Sequence, residues 1–122
     1  MRDYTVAKEF KVDQFDIIVD WTYEDYSVRD CFDETEEEFA EMERRLDAYI
    51  DTHYIARVRA MYDGVELGCA TLGSCYARDC SPEDDINDGI GGYLADMVDE
   101  AVDDARTEAV AMLQRLKEDF LN

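Results

Sequence analysis

From Phe15 to Tyr23 the apolar side chains alternate: Phe15, Ile17, Val19, Trp21 and Tyr23 share one face, while Asp16 and Asp20 share the other with Ile18. Period-two alternation of β-branched and aromatic residues predicts a half-buried strand. Val6, Phe10 and Val12 predict an earlier extended segment, and the two form a hairpin turning near Asp13 and Gln14. A polar, acid-rich connection follows from Glu24 to Glu34. Thr35, with Glu38 three residues on, then fits a capping box, in which each side chain satisfies a free backbone N–H of a helix's first turn. Phe39, Met42, Leu46, Tyr49 and Ile50 follow at helical spacing, predicting a helix to about Asp51. Tyr54 to Tyr62 and Val65 to Leu72 flank Asp63-Gly64, a pair favoured in type I′ turns because both central residues need positive φ. Tyr54, Ala56, Val58, Ala60 and Tyr62 fall on one face of this hairpin, and Ile55, Arg57, Arg59 and Met61 on the other.

Gly73 to Gly92 reads as a long loop holding the single proline, Pro82. A last helix begins between Ile90 and Tyr93 and runs close to the C-terminus. Its stripe is Leu94, Met97, Val98, Ala101, Ala105, Ala109, Met112, Leu113, Leu116 and Phe120. At about 1.5 Å per residue it spans roughly 40 Å, so it is expected to lie across a sheet and project at one end. The order predicts one α+β domain over residues 1–122: an antiparallel sheet of three to four strands packed against two helices on one face, the C-terminal helix long.

Charge changes the picture more than composition does. Of 122 residues, 47% are hydrophobic, enough for a core, but 32 acids against 12 bases leave a net charge of −20. Such a field repels phosphate and so excludes direct binding to nucleic acid or an anionic membrane, and it attracts basic surfaces. No stretch reaches the roughly 18 apolar residues of a membrane span, and the N-terminus lacks the pattern of a secretory signal. Four cysteines without a dense disulfide pattern fit reduced thiols and a cytoplasmic chain.

The excess sits in two tracts. Asp13 to Glu43 holds thirteen acids and one base, Arg29; Asp79 to Asp104 holds ten acids and no base. In the second, Asp96, Asp99, Glu100, Asp103 and Asp104 recur at helical spacing opposite the apolar stripe, about 5–6 Å apart, and Asp84, Asp85 and Asp88 precede them. This spacing resembles that of phosphates along a nucleic-acid strand, which advance about 3.4 Å per nucleotide. Glu37 and Glu41 make a second row on the first helix. Two rows on one side of the fold would suit a groove built for a phosphate backbone; scattered rows would serve solubility, as in a halophilic surface. First-turn acids such as Glu36, Glu37 and Glu38 also complement the helix dipole without any partner.

Other chemistry finds less support. In Asp84-Asp85-Ile86-Asn87-Asp88-Gly89, Ile86 takes the place of a calcium ligand, and the cysteines and His53 lack zinc spacing. No cofactor is implied. With one histidine and no nucleophile elbow or phosphate loop, the sequence does not read as an enzyme. A ligand pocket between Trp21, Tyr23 and the Cys75–Cys80 segment is the remaining route to such a role.

In size, in the tracts Asp13–Glu43 and Asp79–Asp104, and in its want of catalytic motifs, the chain resembles the small acidic anti-defence proteins of bacteriophages and mobile elements. These are anti-restriction and anti-CRISPR inhibitors that mimic DNA. The resemblance implies a cytoplasmic partner in a host bacterium, a CRISPR effector or restriction enzyme bound at its DNA-contacting lysines and arginines. The competing expectation is an adaptor that forms a homodimer through the small-residue strip Ala101, Ala105 and Ala109 of the long helix, its acidity serving solubility.

Overall fold

The computed structural model describes residues 3–121. Strands β1 (Thr5–Val12), β2 (Phe15–Tyr23), β3 (Thr52–Tyr62) and β4 (Val65–Ala77) form one antiparallel sheet in sequence order. Between β2 and β3 lie α1 (Val28–Cys31) and α2 (Glu36–Asp47); after β4 come α3 (Pro82–Asn87), a 3₁₀ turn (Ile90–Gly92) and α4 (Tyr93–Phe120). The fold is α+β, with the long C-terminal helix expected. Asp63 and Gly64 have φ of 50° and 79°, the two left-handed residues of the predicted hairpin turn. Thr35 and Glu38 form the capping box of α2.

Register defines the two faces of the sheet. Ile17 pairs with Ala60, Val19 with Val58 and Trp21 with Ala56 in β2–β3, and Val58 and Ala60 pair with Ala70 and Gly68 in β3–β4. These residues are buried beneath α3 and α4, where Ile86, Ile90, Leu94, Met97, Ala101 and Ala105 complete the core. The sheet is small-faced where α4 crosses it, and at Gly68 helix and strand backbones nearly touch. A Cβ there would lie 2.0 Å from the Ala101 carbonyl oxygen and 2.7 Å from the Ala105 nitrogen.

The structure departs from the expected elements at four places. First, β4 does not stop at Leu72 but continues to Ala77, and Pro82–Asn87 is helical, so most of the expected long loop is regular. Between the Tyr54–Cys75 and Ala56–Leu72 pairs, Gly73 and Ser74 oppose Ile55 alone, and Ser74 has φ of 55°. This bulge inverts the alternation, placing Cys75 and Ala77 in the core and Tyr76 opposite, which hides the strand from a period-two reading. Second, α2 ends at Asp47 rather than near Asp51; Tyr49 turns at φ 59° with its ring 89% exposed. Third, a single turn, α1, forms in the acid-rich connection, with Ser27 capping it and Val28 buried.

Fourth, the helices do not share one face. Phe32, just ahead of α2, packs its ring 5.7 Å from His53 and 6.1 Å from Tyr76, both on the face opposite α4. Arg45 of α2 reaches Asp51 at the start of that face. The sheet is therefore covered on both sides, α3 and α4 on one and the α1–α2 segment over one end of the other.

Replacing Gly68 with Ala drives a methyl group into the α4 main chain, where no side chain can yield. Overpacking of this kind is expected to cost about 3 kcal/mol, read as a lowered urea midpoint against a Cys69→Ala control. A midpoint equal to the control's would contradict the close seating of α4.

Candidate functional site

The acids divide into those consumed by the fold and those left to solvent. Asp20 is 1% exposed and accepts both arms of Arg57 at 2.8 and 2.7 Å, with Arg59 at 3.2 Å. The Tyr4 ring stacks 3.6 Å from the Arg57 guanidinium. Arg57 and Arg59, which fit no pattern in the sequence, thus neutralise a carboxylate buried in the sheet, as a buried charge requires.

Asp51 anchors the opposite end. Its buried carboxylate accepts from Arg45 at 2.8 and 3.0 Å, from the Tyr76 hydroxyl at 2.6 Å and from the Asp79 backbone N–H at 2.8 Å. Burial alone would raise its pKa, but these four bonds outweigh it and hold the group at about 2. Burial lowers the pKa of neighbouring His53, an effect partly offset by Glu24, and His53 Nε2 finds no hydrogen-bond partner among the described residues. Glu24 spans β3 to cap the bulge, accepting from the Ser74 N–H at 2.9 Å.

Two acids of the second tract also turn inward. Trp21 Nε1–H donates to Glu83 at 2.9 Å, and the buried Tyr54 hydroxyl donates to Asp85 at 2.6 Å. Burial, then this carboxylate, pushes the Tyr54 hydroxyl far above its usual pKa, keeping it a donor. Asp85, expected at a partner surface, instead ties α3 to the core, since a phenol buried in the sheet needs an acceptor. At the pocket expected between Trp21, Tyr23 and the Cys75–Cys80 segment, the indole meets Tyr23 and Tyr54 edge-on at 5.2 and 6.2 Å, and a cavity of about 430 Å³ lies at Cys75 and Tyr76, lined also by Phe32, Leu72, Asp85, Ile90 and Tyr93. The segment Asp84–Asp88 is helix α3 and its cap, not a calcium loop, and no group of three metal-ligating side chains occurs among the described residues.

On α2 the acids are partly neutralised. Arg29 bridges Glu36 at 2.6 Å and Glu43 at 2.8 Å, and Glu41 pairs with Arg44 at 2.6 Å. The neighbouring Glu38 carboxylate raises the pKa of Glu34. Beside them Phe32, Met42 and Tyr76 floor a cavity of about 480 Å³ that Glu34, Glu37, Glu38 and Glu41 rim. Glu37 stays exposed.

On α4 the situation differs. Asp96, Asp99, Glu100, Asp103 and Asp104 are all exposed, the first four on the side away from the stripe that meets the sheet and Asp104 at its flank, in the groove beside Gly68 and Cys69 of β4. Arg106, 3.8 Å from Asp103, is the sole base at ion-pair distance from any of the five among the described residues, and it also holds Asp13. Asp88 and Asp99 line one shallow groove with Lys8, so the end of α3 extends the α4 surface, and exposed Asp84 lies one turn earlier. Because α2 and α4 lie on opposite faces of the sheet, Glu37 and Glu41 do not join this surface. The single two-row face that the sequence allowed is not formed. The small-residue strip is spent as well: Ala101 and Ala105 are fully buried against the sheet at Gly68.

Comparison with family models, with curated proteins and with solved structures finds no match. No helix among the described residues is long and apolar enough to cross a membrane.

Acidification should weaken the fold in two stages. His53, whose pKa is lowered, binds its proton more readily in the unfolded chain, so stability is lost as pH falls through and below its ordinary 6.5. Asp51, also lowered, contributes fully above 3.8, and its contribution is lost as pH falls toward 2. Thermal melts between pH 8 and pH 2 should show both stages, and His53→Phe should flatten the first while leaving the second. An unchanged first stage in that variant would remove His53 as its cause.

Proposed function

We propose that this chain is a binding protein whose α4 surface occupies the nucleic-acid-binding surface of a basic partner, its carboxylates standing in for phosphates. The observation that carries the reading is a contrast within one molecule. The buried acids Asp20 and Asp51 and the solvent-facing acids Glu36, Glu41 and Glu43 of α2 are each given an arginine. The row Asp96, Asp99, Glu100, Asp103 and Asp104, with Asp88 beside it, lies in a tract without a base of its own. A solvated face is ordinarily mixed in sign. A one-sign row held on a rigid helix keeps its field toward solvent, which steers and orients a basic partner. With the resemblance drawn from the sequence, the partner class is a CRISPR effector or restriction enzyme, and the effect is to keep DNA out. Glu37 and Glu41, on the other face, form a separate and weaker surface in this reading.

The test is displacement of fluorescent DNA from such an effector by the purified protein. Displacement should weaken steeply as salt rises, because the contacts are partly solvated charge pairs. Reversing Asp99, Glu100, Asp103 and Asp104 to Lys should cost on the order of 100-fold in affinity with an unchanged melting temperature, whereas Glu37→Lys with Glu41→Lys should cost far less. Salt-independent displacement, or full activity in the α4 variant, would dismiss charge mimicry; absence of displacement across a panel of effectors would leave the acids to solubility.

A further inference from the structure

The apolar stripe that seats α4 on the sheet does not end where the sheet ends. Ala105 is the last buried residue of the helix, yet the same face continues through Ala109, Met112, Leu113, Leu116 and Phe120 at intervals of three and four. Leu113, Leu116 and Phe120 are 53%, 50% and 76% exposed. Contiguous exposed apolar residues at helical spacing mark an interaction surface. We propose that this end of α4 pairs two copies of the chain in an antiparallel homodimer.

Charge selects the occupant. From Ala105 to Leu121 the bases Arg106, Arg115 and Lys117 balance the acids Glu108, Glu118 and Asp119, in a chain whose net charge is −20. A basic partner is drawn to Asp96–Asp104 and gains nothing from this neutral segment, while a second copy meets no excess of like charge along it. Charge also selects the direction. A parallel pair would set two highly acidic bodies side by side, whereas an antiparallel pair holds them at opposite ends and opposes the helix dipoles. In the antiparallel arrangement the partner's helix end returns toward the groove between α4 and the start of β4, where Val65 and Leu67 lie beside Met112. The overlap is about 12 residues, or roughly 18 Å of helix. It is shorter than a strong interface needs, at about 800 Å² per partner, so the pair is concentration-dependent. Repulsion between the bodies opposes it, so added salt strengthens it, the reverse of its effect on a basic partner.

Sedimentation equilibrium of the intact protein tests the proposal. The mass should rise from 14.1 kDa toward twice that value with concentration, and the association constant should rise about tenfold from low to high salt as the repulsion is screened. Small-angle scattering should give an elongated pair with a body at each end. Leu113→Gln with Leu116→Gln should abolish pairing with an unchanged circular dichroism spectrum, and Phe120→Gln alone should weaken it. The Lys-substituted Asp99–Asp104 variant should still pair, which separates this proposal from the binding function. A monomer at all concentrations and salts, pairing that survives loss of both leucines, or a compact side-by-side pair would each overturn it.

Discussion

The contact between Gly68 and the backbone of α4 is the constraint on which the rest of the molecule turns. With no Cβ at that point, the helix settles onto β4 at main-chain distance, Ala101 and Ala105 meeting the strand directly. This fixes the rotation of α4 about its axis. The apolar stripe must face the sheet, so the carboxylates on the other side must face water. It also fixes where the helix leaves the sheet: full burial ends with Ala105, Met112 still lies beside Val65 and Leu67, and Leu113, Leu116 and Phe120 beyond it are exposed.

The two faces of the sheet handle charge differently. On the α1–α2 side, arginines sit against carboxylates that the fold has withdrawn from solvent, at Asp20 and Asp51. Such pairs contribute little net stability once desolvation is counted, but breaking one would strand a buried charge. On the α3–α4 side the inward acids Glu83 and Asp85 satisfy an indole and a phenol, and the outward ones are left to solvent. The net charge of the chain therefore describes no single surface. The part available to a partner is what remains after the fold has used its share.

On the two proposals made above, a one-sign row in the first half of α4 and a neutral apolar end beyond it would place two kinds of recognition on one helix. The first is long-range and screened by salt; the second is short-range and, between two acidic bodies, favoured by salt. A dimer built on the helix end would display two acidic rows, one on each body.

Much of the scaffold was legible in the sequence because it depends on local physics. Alternation in Phe15–Tyr23, the Asp63-Gly64 turn, the Thr35–Glu38 capping box and the 3.6-residue stripe of α4 each report a local preference, and each element forms where predicted, although β2 is buried on both faces at Asp20 and Thr22 and exposed at Tyr23. The row Asp96–Asp104 was legible for the same reason, since helical spacing alone puts most of it opposite the stripe. What only the tertiary structure decided are matters of partner and side. The bulge at Gly73-Ser74 inverts the pattern of β4 and depends on Glu24 reaching across β3. The placement of α2 opposite α4 follows from Phe32, His53, Tyr76 and the Asp51 cluster, which are far apart in sequence. The inward turn of Asp85 answers a buried hydroxyl on another strand. A sequence records how many carboxylates there are and how they are spaced; which of them remain exposed is settled by the donors that the fold buries.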